Sequence, residues 1–479
     1  MQKRNLSLLM DYYALTMANG YFENGLKDKI VYYDMFFRKV PDKGGYVVLA
    51  GLGQVIDYMQ NLSFSEEDIA FLREKQVFSE GFLDYLKNFR FTCDVWAIPE
   101  GTPVFPGEPL ITLRGPIIEA VFVETMMLLN MNHQCLIATK ASRIVRAAQK
   151  RAVMEFGSRR AHGADAAIYG ARAAYIGGAG ATANTLSDKK MGIPAVGTMA
   201  HSWIQLFSDE KEAFRAYAEL YPDQCVLLID TYDVLSSGIV NAIEIFNEVV
   251  VPKGFRPKGV RIDSGDMAYL SKCVRNILDE AGFDDCQIVA SGGLDEYIIQ
   301  DLLAQGAKID SFGVGERLIT AKSDSVFGGV YKLVAVEEEE GKIVPRIKIS
   351  ENIEKITTPG YKMPWRLYDI KTGKAIADVI TLADEVIDDT KPYEIFDPQA
   401  IWKKKLIEDF RAEKLQVEIF SKGQLVYDLP TVEEIRDYCI EQKRTLWEEV
   451  KRFNNPHDYY VDYSKSLWQL RENLLMHFE

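Results

Sequence analysis

The most regular hydrophobic pattern of the chain lies between residues 225 and 312. Short apolar runs alternate there with longer stretches whose apolar positions recur at helical spacing. The runs are Val226–Ile229, Gly259–Ile262, Gln287–Ala290 and Ile309–Phe312, and the helical stretches are Ser237–Val250, Met267–Ala281 and Glu296–Gln305. Strands and helices that alternate in this way predict a parallel sheet with crossover helices, as in an α/β barrel.

Each apolar run is followed at once by polar residues or glycines. The clusters are Asp230-Thr231, Asp263-Ser264-Gly265-Asp266, Ser291-Gly292-Gly293 and Gly313-Val314-Gly315-Glu316-Arg317. In an α/β barrel the carboxyl ends of the strands lie on one face, and that face carries the active site. We therefore expect these clusters to converge on one site.

The flanking regions predict further domains. Residues 1–135, with a helix over Met10–Phe22 and a strand over Ile30–Arg38, read as an α+β N-terminal domain. We assign residues 136–345 to the barrel and residues 346–479 to a C-terminal extension that packs on the N-terminal domain and the barrel. A predicted helix, Ile137–Arg151, opens the barrel region. It carries basic residues along one face, which we interpret as a solvated face: Lys140, Arg143, Arg146 and Lys150.

Two hairpins and a capped helix are predicted beyond the alternating region. The first hairpin joins Tyr331–Val336 to Lys342–Ile349, and the second turns around Ser421–Gln424. Thr431, with Glu434 three residues later, has the spacing of a capping box at a helix start. The apolar face predicted for this helix consists of Ile435, Cys439, Leu446 and Val450.

Composition narrows the class of protein. A chain of 479 residues is long enough for two or three domains, and 47% hydrophobic with 26% charged residues is typical of globular proteins. The net charge of −14 argues against nucleic acid or an anionic membrane as a partner. The six cysteines form no Cys-x-x-Cys pair, which suits a reducing compartment. We expect a cytoplasmic protein without a signal peptide or an apolar run of about 20 residues that could span a membrane.

Two of the strand-end clusters predict a phosphate site. Gly292-Gly293 and Gly313-x-Gly315 precede helices, and glycines there allow backbone N–H groups to approach a phosphate. The cluster that follows the run Gly259–Ile262 contains Asp263, Ser264 and Asp266, and Arg261 lies just before it. Its carboxylates could hold Mg²⁺, bind ribose hydroxyls or stabilise a developing cation. The alternative is a loop network in which Asp263 or Ser264 caps the next helix.

His201 and a pair of arginines are the remaining candidates for chemistry. His201, one of only five histidines, follows Gly197-Thr198-Met199-Ala200 and could be a base, a nucleophile or a core histidine. A metal-binding role is disfavoured because no second histidine or cysteine stands at ligand spacing. Arg159 and Arg160 could bind a planar anion, although a buried ion pair is an alternative. His162 is interpreted as structural.

Taken in order, five motifs resemble those of the nicotinate phosphoribosyltransferases, which belong to the type II phosphoribosyltransferases. The motifs are Asp11-Tyr-Tyr-Ala-Leu-Thr-Met17, Glu155-Phe-Gly-Ser-Arg-Arg160, Gly197-Thr-Met-Ala-His-Ser202, Val260-Arg-Ile-Asp-Ser-Gly-Asp266 and Phe312-Gly-Val-Gly315. The resemblance extends to Asn455-Pro-His457 near the end. It implies an irregular α/β barrel with an α/β N-terminal domain, in a homodimer with shared active sites.

The resemblance also implies a reaction: ATP-assisted condensation of nicotinate with phosphoribosyl pyrophosphate, with Mg²⁺, to nicotinate mononucleotide and pyrophosphate. His201 resembles the histidine that ATP phosphorylates transiently. Phe156 resembles the residue that stacks on the pyridine ring, and Tyr13 the one that closes the ring from the neighbouring subunit. The other roles implied are carboxylate and phosphate binding by Arg159 and Arg160, ribose and pyrophosphate binding by Arg261 and Asp263, and 5′-phosphate binding by Gly292, Gly293, Gly313 and Gly315.

Asn184 and Thr185 lie where the related nicotinamide enzymes carry an acidic residue that reads the amide, so an uncharged residue there suits an acid substrate. A nicotinamide phosphoribosyltransferase is nevertheless the nearest alternative. A quinolinate-decarboxylating enzyme is less favoured because that family is shorter. From other classes, a phosphate-binding barrel oxidoreductase or isomerase and a non-catalytic scaffold remain open.

Overall fold

The computed structural model describes residues 4–352 and 355–476. The chain divides into two compact units. The barrel unit is the continuous segment of residues 137–325, and the terminal unit combines the residues up to 136 with those from 326 onward. The segments before and after the barrel unit therefore belong to one unit rather than to two separate domains.

The first segment of the terminal unit mixes short strands with helices, as the sequence predicts. Its helices are α1 (Tyr12–Glu23), α2 (Leu52–Asn61), α3 (Glu66–Glu74), α4 (Glu80–Lys87) and α5 (Ile117–Phe122). Its strands are β1 (Ile30–Phe37), β2 (Val47–Val48), β3 (Asp94–Ala97), β4 (Pro103–Val104) and β5 (Ile111–Pro116). Helix α6 (Glu124–Ala147) contains the boundary between the units.

The barrel unit alternates strands with helices. Its strands are β6 (Ala152–Glu155), β7 (Ala181–Thr182), β8 (Val226–Leu228), β9 (Gly259–Ile262), β10 (Gln287–Ser291) and β11 (Ser311–Val314). Its helices are α7 (Ala164–Gly177), α8 (Thr185–Met191), α9 (His201–Gln205), α10 (Glu210–Leu220), α11 (Ile239–Ile245), α12 (Met267–Glu280), α13 (Glu296–Ala304) and α14 (Glu316–Ile319).

The strands of the barrel unit form a parallel sheet in the order β7-β6-β11-β10-β9-β8. The expected α/β arrangement is confirmed, and β9 has the predicted bounds. The barrel is irregular because, in the described residues, no ladder joins β7 to β8. The chain between those strands passes instead through α8, α9 and α10.

A hydrophobic core surrounds β8 and β9 and includes the buried rings of Phe214, Phe246 and Phe283. Burying each such ring contributes about 1.5–3 kcal/mol relative to exposure. The expectation that no run of about 20 residues is apolar enough to span a membrane is wrong by length and composition: the helical stretch Val234–Lys253 meets that criterion, with a mean hydropathy of 1.5. The stretch passes through this core. Its residues Ile239, Ile245 and others belong to the core, which accounts for the apolar composition.

The second segment of the terminal unit is mainly β-structure. Its strands are β12 (Gly329–Glu337), β13 (Ile343–Pro345), β14 (Lys362–Asp369), β15 (Ala375–Leu382), β16 (Tyr393–Asp397), β17 (Ala400–Ile407), β18 (Phe410–Lys414), β19 (Val417–Ser421), β20 (Gln424–Leu425) and β21 (Val461–Tyr463). Its helices are α15 (Val432–Thr445) and α16 (Lys465–Met476).

The two segments of the terminal unit share one large sheet, ordered β13-β12-β1-β5-β3-β19-β20. A second sheet has the order β18-β14-β15-β21, and shorter ladders join β16 to β17 and β2 to β4. The structure differs here from the expected domain limits: residues 326–345, assigned to the barrel, lie in the terminal unit because β12 pairs along β1. The extension contacts the N-terminal segment directly, since Gln416 Nε2 donates to Pro109 O at 2.8 Å.

The basic face predicted on the helix that opens the barrel region is partly buried, so its interpretation as a solvated face is wrong for two residues. The side chains of Lys140 and Arg143 are only 3% and 8% exposed. Both bind Glu296 Oε1 at 2.8 Å. Lys150 lies after the end of α6 and is exposed.

The capping box at Thr431 is confirmed. Thr431 Oγ1 accepts the Glu434 N–H at 3.2 Å, and Glu434 Oε2 accepts the Thr431 N–H at 2.7 Å. Helix α15 then ends at Thr445, so Leu446 and Val450 lie beyond it, although both are buried as expected. Both predicted hairpins are present as β12–β13 and β19–β20.

Candidate active site

Arg261 joins the strand ends of the barrel unit. Its guanidinium donates from Nε to Ser291 Oγ (2.8 Å) and from Nη2 to Asp263 Oδ1 (2.7 Å). Nη1 donates to Thr198 Oγ1 at 3.1 Å. A guanidinium can bind several partners at once because its donors form a fixed planar fork. The clusters after β9 and β10 are therefore in contact with each other and with the segment that precedes His201.

Asp263 is held in its ionised form by this network. Burial acts to raise the pKa of Asp263, but hydrogen bonds from Ser291 and Arg261, and the charges of Arg261 and His201, lower it below its usual value. Oδ1 accepts from both Ser291 Oγ and Arg261. A carboxylate that stays negative in a partly buried site can stabilise a positive charge that develops on a bound substrate.

His201 is the first residue of α9, and its side chain is 38% exposed. Nδ1 lies 3.0 Å from Thr231 Oγ1, and Nε2 lies 3.9 Å from Asp230 Oδ1. Both partners belong to the cluster that follows β8. The exposure argues against a core histidine, and the contacts place the imidazole beside the strand ends, where it can react with a bound molecule.

Asp230 is a functional candidate that the sequence reasoning treated only as the polar end of a strand. Its side chain is 1% exposed, and Oδ2 accepts from Ser264 Oγ (2.5 Å) and from the Asp263 N–H (3.0 Å). Oδ1 is buried and has no hydrogen-bond partner among the described residues. An unpaired buried carboxylate oxygen near a histidine offers a counter-charge for the imidazole. The available signal was an aspartate placed directly after an apolar run.

Phe156 is fixed between neighbouring strand ends. Its N–H donates to Val314 O at 2.8 Å. A Cβ added to Gly313 would lie 2.5 Å from Phe156 Cδ2, and one added to Gly315 would lie 3.2 Å from Phe156 O. Gly313 is therefore required for packing against Phe156, and Gly315 allows a close approach of the Phe156 carbonyl. Arg261 Cζ lies 5.8 Å from the centre of the same ring.

Gly292 and Gly293 form the turn after β10. Both have positive φ angles, +94° and +64°. A Cβ on Gly292 would meet Asp263 O at 2.2 Å, whereas nothing lies within 4 Å of the corresponding position on Gly293. Gly292 thus permits the close approach of two strand ends, and Gly293 leaves open space above the turn, as a phosphate site requires.

A cavity of about 210 Å³ brings these features together. Its lining consists of Phe156, Arg159, Arg160, Arg261, Asp263, Ser291, Gly292, Gly293, Leu294, Gly313, Gly315, Glu316 and Arg317. The arginines outnumber the carboxylates, so the cavity attracts anions although the whole chain carries −14. His201 and Ser264 do not line it but connect to it through Asp230 and the Asp263 N–H.

Arg159 and Arg160 lie in a 3₁₀ turn, Ser158–Arg160, and both are exposed. Neither has an ion-pair partner within the described part of the chain, which argues against the alternative of a buried ion pair. Arg317 was named in the sequence only as part of a strand-end cluster. In the structure it lines the cavity and is held by Asp295, the residue that caps α13.

Besides Ser264, three predicted substrate-binding residues lie outside this cavity. Asn184 Oδ1 caps α8 by accepting the Leu186 and Ser187 N–H groups, at 3.1 and 3.2 Å, and Thr185 begins that helix. Tyr13 belongs to the terminal unit, where its side chain is half-exposed and its hydroxyl donates to Glu124 Oε2 at 2.9 Å. Burial and Glu124 raise the pKa of Tyr13. Its predicted position against a neighbouring subunit's substrate stays a prediction.

A parallel barrel whose strand ends gather arginines, an ionised aspartate and glycine turns around a small cavity defines the class: this is a type II phosphoribosyltransferase fold. Family models agree along the chain. They match the nicotinate phosphoribosyltransferase N-terminal domain at residues 8–132, the quinolinate phosphoribosyltransferase C-terminal domain at 137–324 and the nicotinate phosphoribosyltransferase C-terminal domain at 361–471. The middle match coincides closely with the barrel unit.

Whole-chain relatives then identify the family. The chain is 44% identical over 464 residues to the nicotinate phosphoribosyltransferase of Bacillus subtilis, covering 97% of this chain and 94% of that protein. The chain belongs to the nicotinate phosphoribosyltransferase family. The crystal structure of human nicotinic acid phosphoribosyltransferase superposes with a TM-score of 0.85 at 27% identity, over 98% of this chain and 100% of that one. The crystal structure of nicotinate-nucleotide pyrophosphorylase from Pyrococcus furiosus superposes with a TM-score of 0.70 at 25% identity, over 92% of this chain and 96% of that one.

Proposed function

We propose that the protein condenses nicotinate with 5-phosphoribosyl 1-pyrophosphate, giving nicotinate mononucleotide and pyrophosphate, and couples this reaction to ATP hydrolysis. The observation that carries the proposal is the single cavity in which Phe156, Arg159, Arg261, Asp263 and the glycine turns meet. In this cavity Phe156 can contact a flat ring and Arg159 can bind a carboxylate. Arg261 and Asp263 can bind a ribose, and the glycine turns can bind phosphates.

The transfer step uses these groups as follows. The pyridine nitrogen of nicotinate attacks C1′ of the ribose while the bond between C1′ and the pyrophosphate oxygen breaks, and both electrons of that bond leave with pyrophosphate. Phe156 offers a face for the pyridine ring. Arg159 is the candidate for the nicotinate carboxylate, because a guanidinium matches its two oxygens. Asp263 stabilises the positive charge on the ribose as the old bond breaks.

His201 is the residue proposed to couple ATP to this transfer. Since Nδ1 contacts Thr231 Oγ1, Nε2 is the nitrogen that attacks the γ-phosphorus of ATP, and ADP leaves. Hydrolysis of the phosphohistidine restores the imidazole and releases phosphate. The Asp230 carboxylate, 3.9 Å from Nε2, stabilises the positive charge that the ring carries in these steps.

Mg²⁺ would neutralise the leaving pyrophosphate. The described residues include no group of three or more His, Cys, Asp or Glu side chains arranged to hold a metal ion. This donor set fits Mg²⁺ nonetheless, because Mg²⁺ is commonly bound by one or two carboxylates together with substrate phosphates. Asp263 is the residue that would hold it, since it is ionised and its Oδ2 accepts no hydrogen bond from the described residues.

The test is product formation from phosphoribosyl pyrophosphate with nicotinate, nicotinamide or quinolinate, each with and without ATP. We expect nicotinate mononucleotide from nicotinate, with stimulation by ATP. Turnover with nicotinamide alone would instead support the nicotinamide enzyme, and turnover with quinolinate would support the relative whose model matches the barrel unit.

The ATP coupling has its own test. With γ-labelled ATP we expect an acid-labile, base-stable label on the protein that His201→Ala abolishes. His162→Ala is the matched control, because His162 is an exposed histidine of the same unit that does not line the cavity. Equal labelling of the His201→Ala variant would overturn the role of His201 and leave the transfer reaction in place.

A further inference from the structure

A buried glutamate lies directly behind the cavity. Glu155 is the last residue of β6, is fully buried and pairs on one side with Val314 and on the other with Thr182. It precedes Phe156 and does not line the cavity itself. Because a buried carboxylate is costly unless its oxygens are satisfied, its retention at this point requires an explanation.

The Glu155 carboxylate bridges two loops. Oε1 accepts the Gly157 N–H, in the turn that leads from Phe156 to Arg159. Oε2 accepts the Thr182 hydroxyl at 2.7 Å. Thr182 Oγ1 in turn accepts the Asn184 N–H at 3.0 Å. A continuous chain of hydrogen bonds therefore runs from the backbone beside Phe156 to the residue that caps α8.

This series of hydrogen bonds requires that both carboxylate oxygens of Glu155 act as acceptors. Thr182 Oγ1 already accepts the Asn184 N–H, so its own proton must go to another acceptor. A glutamine at position 155 could still accept the Gly157 N–H, but its amide nitrogen would face the threonine hydroxyl as a donor. Glutamate therefore satisfies both donors, whereas glutamine would leave the Thr182 proton without its acceptor at Oε2.

The turn beside Phe156 has little room to move elsewhere. A Cβ at Gly157 would lie 2.6 Å from Ile319 Cβ, and the Phe156 ring already abuts Gly313. The bridge thus holds the turn from the β7 side, while packing holds it from the β11 side. Without the bridge, the turn that carries Phe156 and Arg159 keeps its packing and its backbone hydrogen bonds but loses its tie to the Glu155 carboxylate.

We propose that Glu155 and Thr182 form a positioning pair that sets the placement of Phe156 and Arg159 for binding of the pyridine carboxylate substrate. The inference rests on the proposed function and goes beyond it, because neither residue touches the substrate. It assigns the pair to the nicotinate-binding role of Phe156 and Arg159 and not to the candidate phosphoribosyl pyrophosphate groups at the ends of β9, β10 and β11.

The test compares steady-state kinetics of Thr182→Val, Thr182→Ser and Glu155→Gln with the natural sequence, varying each substrate separately. Thr182→Val keeps the shape of the side chain and removes the hydroxyl, whereas Thr182→Ser keeps the hydroxyl. We expect Thr182→Val and Glu155→Gln to raise KM for nicotinate roughly tenfold or more, because misplaced substrate-binding groups have effects of this size. KM for phosphoribosyl pyrophosphate should change less than about twofold, and Thr182→Ser should restore nicotinate binding.

Glu119→Gln is the matched control for a loss of folding stability. Glu119 is a buried glutamate of the terminal unit that likewise accepts a backbone N–H and a threonine hydroxyl, both from Thr92, and it also accepts from the Cys93 thiol. It should lower the thermal midpoint without changing KM for nicotinate. The double variant Glu155→Gln/Thr182→Val should be no worse than the more impaired single variant, because both remove the same bridge.

The outcomes separate the two claims. If the natural sequence does not turn over nicotinate, the proposed function fails and the positioning inference fails with it. If it does, but Thr182→Val keeps the natural KM for nicotinate, or both KM values rise together, the positioning inference alone is overturned. Equal effects of Thr182→Ser and Thr182→Val would overturn it too, because the hydroxyl would then be irrelevant.

Discussion

At the scale of single residues, Arg261 shows how a strand-end cluster becomes a site. The sequence predicted that Arg261, Asp263 and the glycine turns converge, because parallel strands present their carboxyl ends on one face. It could not predict that one guanidinium binds Ser291, Asp263 and Thr198 together, since those contacts depend on loop conformations. Arg261 is therefore an organising residue as well as a candidate ligand.

Arg261→Lys should lower kcat/KM by about a hundredfold or more, because an ammonium group cannot reproduce a fork that binds three partners. The measurement is kcat/KM for nicotinate at saturating phosphoribosyl pyrophosphate. Arg256→Lys is the control: Arg256 binds Asp285 and Gly282 O in the same unit but is exposed. Equal losses for the two variants would show that the effect is not specific to the site.

Asp230 gives a prediction for the coupling step. In Asp230→Asn the buried counter-charge near His201 becomes neutral, so we expect ATP stimulation to fall about tenfold or more, with less effect on transfer measured without ATP. The comparison is Asp233→Asn, in the same loop, where the carboxylate caps a turn by accepting the Leu235 and Ser236 N–H groups. Unchanged labelling of His201 by ATP in the Asp230 variant would contradict this assignment.

At the scale of elements, α6 shows where pattern reasoning fails. A stripe of lysines and arginines on one helix face usually indicates solvent, and the sequence contains no local sign of the partner. Glu296 lies more than 150 residues away and is brought to Lys140 and Arg143 only by the fold. Strand positions were easier to predict, because their signal is local and repeats along the chain.

Removing the charge of Glu296 should be strongly destabilising. Glu296→Gln removes the negative charge that Lys140 and Arg143 share, and we expect a loss of about 3–5 kcal/mol in the free energy of unfolding. Denaturant unfolding measures it. Asp279→Asn is the control, because Asp279 pairs with Arg275 at 2.7 Å but its side chain is 50% exposed, and it should cost less than about 0.5 kcal/mol. A Glu296→Gln variant as stable as the control would argue against the buried cluster.

Strand β21 carries a prediction for pH dependence. Asp462 is buried, and burial, with the nearby charge of Asp397, raises its pKa to about 6. The folded state therefore holds this proton more tightly than the unfolded state, and the resulting stability is lost as the pH rises from about 4 to about 6. Asparagine does not ionise, so Asp462→Asn does not lose stability over this pH range. Above pH 6 the variant should be more stable than the natural sequence by on the order of 1–3 kcal/mol.

The measurement for Asp462 is the free energy of unfolding from pH 4 to 8. Asp388→Asn is the control, because hydrogen bonds from Lys391 and Thr390 lower the pKa of exposed Asp388 to about 2, below this range. The slope between pH 4 and 6 should flatten for Asp462→Asn and remain for Asp388→Asn. Identical slopes for Asp462→Asn and the natural sequence would contradict the raised pKa.

At the scale of the whole molecule, the two ends of the chain form one compact unit, and the barrel unit lies between them in the sequence. The barrel unit could be predicted because its alternation is continuous, and its observed limits fall close to those of the matched family model. The return of β12 to pair with β1 could not be predicted, since antiparallel pairing over about 300 residues leaves no local pattern. Long-range contacts of Tyr13 are equally hard to predict: its motif can be recognised in the sequence, but the site that it contacts cannot.

Tyr13 nevertheless allows a test of the predicted homodimer. If Tyr13 completes the active site of the neighbouring subunit, Tyr13→Ala and His201→Ala each remove the ATP-stimulated activity of every site in their own homodimers. In a mixed dimer, one site receives both changes and the other receives neither. Random mixing should therefore restore about a quarter of the natural activity, since half of the dimers gain one intact site of two. The measurement is the ATP-stimulated part of the activity, relative to the natural sequence, after the two variants are co-expressed or unfolded and refolded together.

The control mixes His201→Ala with Asp263→Ala. His201 and Asp263 lie in the same barrel unit and are linked through Asp230. If each site takes its histidine and its aspartate from one chain, every site in this mixed dimer lacks one of them, and activity should stay absent. Recovery with Tyr13→Ala but not with Asp263→Ala would assign Tyr13 to the neighbouring site. No recovery in either mixture, despite dimers in solution, would place Tyr13 with its own barrel and contradict shared active sites.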